Sequence, residues 1–164
     1  MLTRHTGFTL IQMMVVMVIM AILALMAAPS FQDQIIREQI NKALPLADLA
    51  KTPNAVAWAT LQIFPPDNAA AGLPAADKIV SDAVSAVTVQ DGAIHLTFGN
   101  RANGVINGKM LTLRAAVVED TPVVPVTWVC GYAEAPDKMT LHGANQTNIP
   151  ASFLPFACRS RAKK

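Results

Sequence analysis

The chain has 164 residues, enough for one domain of ordinary size, and combines 52% hydrophobic with only 15% charged residues at a mean hydropathy of +0.37. That much apolar material excludes a mainly disordered chain, and its concentration in one N-terminal run argues against a purely cytosolic soluble enzyme. With 13 Lys and Arg against 11 Asp and Glu the net charge is +2, too small by itself to imply nucleic-acid binding.

A short polar leader, MLTRHTG, precedes a run from Phe8 to Ala28 that holds no formal charge, Pro, Gly or Asn. As a helix this run spans about 30 Å, the thickness of a bilayer core. A secretory signal peptide would have a shorter apolar core and a small-residue cleavage site, and Ala27-Ala28-Pro29 is a poor one. A plain anchor with its cationic end inside fits Arg4 and the length. The junction Gly7-Phe8-Thr9-Leu10-Ile11, followed by an unbroken apolar run and Pro29, resembles the class III signal of type IV pilins. The resemblance implies a cut after Gly7 by a dedicated prepilin peptidase, N-methylation of Phe8 and retention of the apolar segment.

Two positions depart from that family. Gln12 stands where type IV pilins usually carry Glu. A carboxylate in hydrocarbon is expensive unless paired, and the resemblance implies that a neighbouring subunit's N-terminal ammonium supplies the partner during assembly. Gln12 keeps hydrogen-bonding capacity and loses the charge, so it is either a tolerated variation or the mark of a minor, specialised pilin. Ala21 replaces a usual Gly and favours helix by about 1 kcal/mol. Any melting of this helix in a filament is therefore expected to be reduced, or centred nearer Pro29.

From Ser30 to about Thr52, Phe31, Ile35, Ile36, Ile40, Ala43, Leu44, Ala47 and Ala50 recur at mostly three- and four-residue steps among polar residues. This is an amphipathic helix. Pro45 should kink it, and Pro53 ends it or starts a further turn through Ala55–Leu61. Residues 62–78 contain Pro65, Pro66, Gly72 and Pro74 without periodicity, which predicts a loop with a short helical turn at Ala75–Val80. Strands are expected at Ala86–Gln90, Ala93–Phe98, Lys109–Val118 and Val126–Gly131. Asp91-Gly92 is a tight hairpin signal, and GNRANGVING at Gly99–Gly108 a longer turn.

Cys130 and Cys158 behind a membrane-targeting N-terminus read as one disulfide in an oxidising compartment. GKMLTLR at Gly108–Arg114, VTWVCGY at Val126–Tyr132 and IPASFLPFACR at Ile149–Arg159 resemble the strands and closing segment of the same family. The resemblance implies that Cys130 and Cys158 bound its variable C-terminal loop. The expected fold is therefore α+β: a long N-terminal helix packed on a four-stranded antiparallel meander, with a disulfide-bounded loop. The expected segments are a leader at 1–7, a transmembrane and polymerisation helix at 8–28, an amphipathic helix at 29–61 and a globular head at 62–164.

No catalytic motif is present: there is no Gly-rich phosphate loop with Lys, no G-x-S-x-G and no HExxH. His95, between Ile94 and Leu96, is expected on the solvent face of a strand, and His142 at the surface of the disulfide loop. Neither lies at metal-ligand spacing with the cysteines, so no catalytic site, metal or cofactor is expected. Glu119-Asp120 suits a loop rather than an acid–base dyad. Asn145-Gln146-Thr147 matches a glycosylation sequon, a triplet common by chance, and the methionines of the apolar run suit packing. Arg159, Arg161, Lys163 and Lys164 form a basic tail: a solvated terminus, or a positive surface repeated along a filament and offered to DNA, anionic lipid or a host surface.

The resemblance implies a non-enzymatic subunit made as a precursor in the bacterial inner membrane and polymerised with like subunits or other pilins into an extracellular pilus. Phe8, Thr9, Leu10, Ile11, Gln12 and Pro29 would carry assembly, with an inner-membrane platform protein and an ATPase supplying the work. Adhesion, twitching motility and DNA uptake are the outputs it implies. A pseudopilin of type II secretion and a membrane-anchored periplasmic binding domain are the alternatives.

Overall fold

The computed structural model describes residues 9–160, and residues 27–30 through their backbone alone. The Gly7–Phe8 junction and the cations Arg161, Lys163 and Lys164 lie outside the described residues. Helix α1 runs unbroken from Leu10 to Ala43, through both Ala21 and Pro29. The Pro29 ring nitrogen has no proton for the carbonyl one turn earlier, so the helix continues there with one bond fewer. Tertiary contacts divide the chain between Gln34 and Ile35. In the first unit every side chain described from Leu10 to Met26 is exposed.

The second unit holds the core. Ile36, Ile40 and Ala43 of α1, Ala47 of the turn Leu44–Ala47 and Ala50 of helix α2, Asp48–Leu61, form one buried stripe. At Pro45 the α-helical pattern gives way to this 3₁₀ turn, with the proline at its start. Pro53 lies inside α2 and does not end it. The helix stops at Gln62, which turns left-handed at φ 54° while its N–H still reaches the Trp58 carbonyl.

Strands β1 (Val84–Gln90), β2 (Ala93–Phe98), β3 (Met110–Val117) and β4 (Thr127–Cys130) follow in chain order as an antiparallel meander. Asp91 and Gly92 both take positive φ (47° and 88°), the primed turn their sequence signalled. One sheet face carries Val87, Val89, Ile94, Leu96, Phe98, Leu111 and Leu113 onto the helical stripe. A second cluster, Trp58, Phe64, Ala115 and Val117, closes the far end.

A fifth strand, β5 (Thr140–His142), was not legible in the sequence. Ala115 and Ala116 pair with Trp128 and Thr127 of β4 and also with His142 and Leu141 of β5. The two partners must therefore flank β3, which puts β5 in line with β2. Three residues carry too little period-two pattern to announce a strand; backbone partners left open beyond the end of β2 create it.

The free edge of β1 is covered as well. The buried Asn68 amide in the 62–78 loop accepts the Val89 N–H (2.6 Å) and donates to the Val87 and Pro74 carbonyls (2.9 and 3.1 Å). An exposed edge invites pairing with other chains, and one side chain here occupies it.

Candidate functional site

The apolar helix is the first functional feature. Thr9 is its N-cap: its carbonyl accepts the Met13 N–H at 3.4 Å, and its own N–H is received by Gln12 Oε1 at 3.0 Å. This is the returning half of a capping box, which Thr-x-x-Gln encodes. The pattern was available in the sequence and reveals what Gln12 does there: its amide is engaged with its own helix start. Thr9, Leu10, Ile11 and Gln12 are thus brought together at one helix end. Leu10 is 79% exposed and Met17 69%, and from Met13 to Met26 the whole girth of the helix is apolar. An apolar cylinder without a dry side has no stable place in water.

Further apolar side chains stand exposed on the head. Leu49 and Val56, two turns apart on α2, and Leu61 and Ile63 just beyond them lie outside the core.

The disulfide-bounded loop is the second feature. Cys130 and Cys158 are bonded, with Cα atoms 4.5 Å apart. Gly131 follows in a left-handed conformation (φ 58°), and a Cβ there would meet the Cys158 carbonyl oxygen at 2.8 Å. Only Gly permits so close an approach. The Arg114 guanidinium reaches under this corner and donates to the Ala133 carbonyl at 3.3 Å and, more weakly, to that of Gly131 at 3.5 Å. Burial pushes its pKa below the usual Arg value. Asn145 Nδ2 donates to the same Gly131 carbonyl, and the Tyr132 hydroxyl lies 3.1 Å from both the Thr147 and Ile149 carbonyls. The loop is held by these side chains, by the pairing of its one short strand, β5, with β3 and by the Asn148 N–H donating to the Met110 carbonyl, and it contains one 3₁₀ turn, Phe156–Cys158.

His95 corrects the sequence-based expectation. Alternation does direct it away from the helical stripe, yet it is only 3% exposed. The segment Gly143–Thr147 crosses that outer face: Gly143 packs on Ala93, and Gln146 Nε2 reaches Gln90 of β1 at 3.3 Å. Two-residue periodicity reports which face a residue takes and cannot report what later covers that face. Burial lowers the His95 pKa below its ordinary value. His142 is half-buried, its ring 5.2 Å from Trp58 and 5.1 Å from Phe64, and its Nε2 lies 2.9 Å from Glu119 Oε1. Among the described residues no group of His, Cys, Asp and Glu is placed to hold a metal ion.

The comparisons with known proteins decide the family. Residues 37–159 match the model of pilins, bacterial filament proteins, and residues 2–28 match the prokaryotic N-terminal methylation motif. The chain belongs to the pilin family. This pilin is 33% identical to the type IV major pilin protein PilE of Neisseria gonorrhoeae, covering 96% of this chain and 95% of the relative. It is 32% identical to a fimbrial protein of Neisseria meningitidis (98% and 97% covered) and 31% identical to fimbrial protein EcpC of Eikenella corrodens (95% and 92%). As a pilin it is a structural subunit and not an enzyme, made as an inner-membrane precursor and assembled into extracellular fimbriae.

Proposed function

We propose that this pilin is inserted in the inner membrane with residues 1–7 as leader, cut after Gly7 by a prepilin peptidase, methylated on Phe8 and polymerised through residues 8–28. The observation that carries this reading is a helix apolar on every side, within a segment that matches the methylation motif. Such a surface must exchange lipid for neighbouring helices if the subunit leaves the bilayer, and a helical array supplies them without closing. Phe8, Thr9, Leu10, Ile11, Gln12 and Pro29 are the residues proposed for assembly. An inner-membrane platform protein and an ATPase would drive extension, because the chain carries no phosphate-binding loop of its own. The filament would then serve adhesion, twitching motility or DNA uptake.

Mass spectrometry of subunits from sheared filaments tests this. The expected mature chain begins at Phe8 and carries one methyl group; an intact Met1 terminus overturns the reading. The disulfide-bounded loop supports a pilus subunit over a type II pseudopilin. The basic tail gives a narrower test. Arg159 is tied down by the Leu154 and Ser152 carbonyls (2.9 and 3.2 Å), which leaves Arg161, Lys163 and Lys164 as the cations proposed to meet DNA or a host surface. Filaments lacking Lys163 and Lys164 should retain less DNA, with a shallower salt dependence; unchanged retention makes the tail a passive terminus.

A further inference from the structure

We propose that His95, Thr112 and Gln146 form an acid-sensitive latch that holds the disulfide-bounded loop against the outer face of the sheet. The latch is a short relay. The Gln146 N–H donates to Thr112 Oγ1 at 3.1 Å, and the same oxygen lies 2.9 Å from His95 Nδ1. Oγ1 receives Gln146 on one lone pair, and its one hydroxyl proton can be directed at Nδ1, which accepts it when the ring carries its proton on Nε2. His95 is then neutral, with its proton on Nε2, and Nε2 is buried without a partner among the described residues. The bond at Nδ1 and the burial of the ring favour the uncharged form.

Protonation reverses the polarity of the central bond. Nδ1 becomes a donor, Oγ1 would have to receive both it and Gln146, and the hydroxyl proton loses Nδ1 as its acceptor. Among the described residues the charged ring also finds no counter-ion. In β1, β2, β3 and β4 the only other titratable side chain is that of Arg114, a cation, and residues 143–148 carry none. Tyr132, at the loop's other tie, is the only titratable side chain bonded to that segment among the described residues, and its hydroxyl is taken up by the Thr147 and Ile149 carbonyls. His142 and Glu119 lie elsewhere, His142 with Trp58 and Phe64 at the far core cluster. Burial holds the His95 pKa below its ordinary value, in accord with this geometry. Gly143 makes release feasible: the segment pivots at a left-handed glycine (φ 81°) seated on Ala93. Acid would thus loosen residues 143–148 while the disulfide keeps the loop attached.

Hydrogen exchange of the full chain in detergent micelles, corrected for the intrinsic pH dependence, tests the latch between about pH 7.5 and about pH 5. In the wild type, protection of residues 143–148 should fall by at least about tenfold, with protection of β1 and β2 unchanged. His95→Asn, which keeps a neutral acceptor near the Nδ1 position, should abolish the fall. Thr112→Val should give low protection already at neutral pH. His142→Gln should leave the fall intact. Should a variant fail to fold, the wild type alone suffices: the nitrogen shifts of the His95 ring must show the Nε2–H tautomer, and its protonation must share a midpoint with the loss of protection. Separate midpoints, or an unaltered fall in His95→Asn, overturn the proposal.

Discussion

The helix Leu10–Gln34 and the head Ile35–Ser160 resolve the same excess of apolar residues in opposite ways. In the head, Ile36, Ile40, Leu96, Phe98 and Leu111 find one another and leave water. In the helix, the side chains from Leu10 to Met26 are all exposed among the described residues. The head carries its stabilising surface inside, whereas the helix must borrow a solvent, first lipid and then, in the proposed assembly, its neighbours. Changes in the two regions should therefore read out in different assays.

The largest effect expected on the head is from Phe98→Ala, which empties a fully buried aromatic site and should cost about 3–5 kcal/mol, measured by denaturant unfolding. Membrane insertion should be untouched; a loss of both would break the separation of the two regions. Removing the disulfide with Cys130→Ala and Cys158→Ala, sequence separation 28, should cost about 3–4 kcal/mol by loop-closure entropy. Unfolding of the paired variant against the oxidised wild type checks this. On the other side of the comparison, Ile19→Lys should cost about 3 kcal/mol of insertion at the helix centre. It should reduce filament yield sharply, with the unfolding midpoint of the head unchanged.

Smaller effects sharpen the comparison. Since burial lowers the folded-state pKa of His95 below its ordinary 6.5, the unfolded chain binds more protons between those two values. Its contribution to stability is full above about pH 6.5 and is lost as pH falls toward the folded value. Unfolding midpoints across that window should decline in the wild type and decline less in His95→Asn. The smallest change is expected from Gln12→Glu, which keeps an acceptor for the Thr9 N–H and adds a charge for a neighbour's ammonium. Subunit abundance in sheared filaments should rise; an unchanged amount means that Gln12 does not limit incorporation.

Much of the head was legible because its signals are local. Period-two runs placed β1 to β4 to within a residue or two, Asp91-Gly92 fixed the first hairpin, and Pro45 marked the break in the helix. The cysteine pairing followed from there being two. The cap at Gln12 was also written in the chain, as Thr9-x-x-Gln12. What escaped was made by distant partners: β5 against β3, Asn68 on the edge of β1, and the cover over His95.

The sequence by itself determined that one segment is apolar all round, that a stripe of the following helix must be buried and that a short-connected sheet lies after it. Each is a matter of composition or spacing within a few residues. Only the tertiary structure decided where the disulfide-bounded loop comes to rest. That segment has no period of its own, and its position is set by open backbone groups and hydroxyls on strands more than twenty residues away. His95 shows the consequence: its place in the strand was encoded locally, and its burial was conferred by a loop that the chain makes much later.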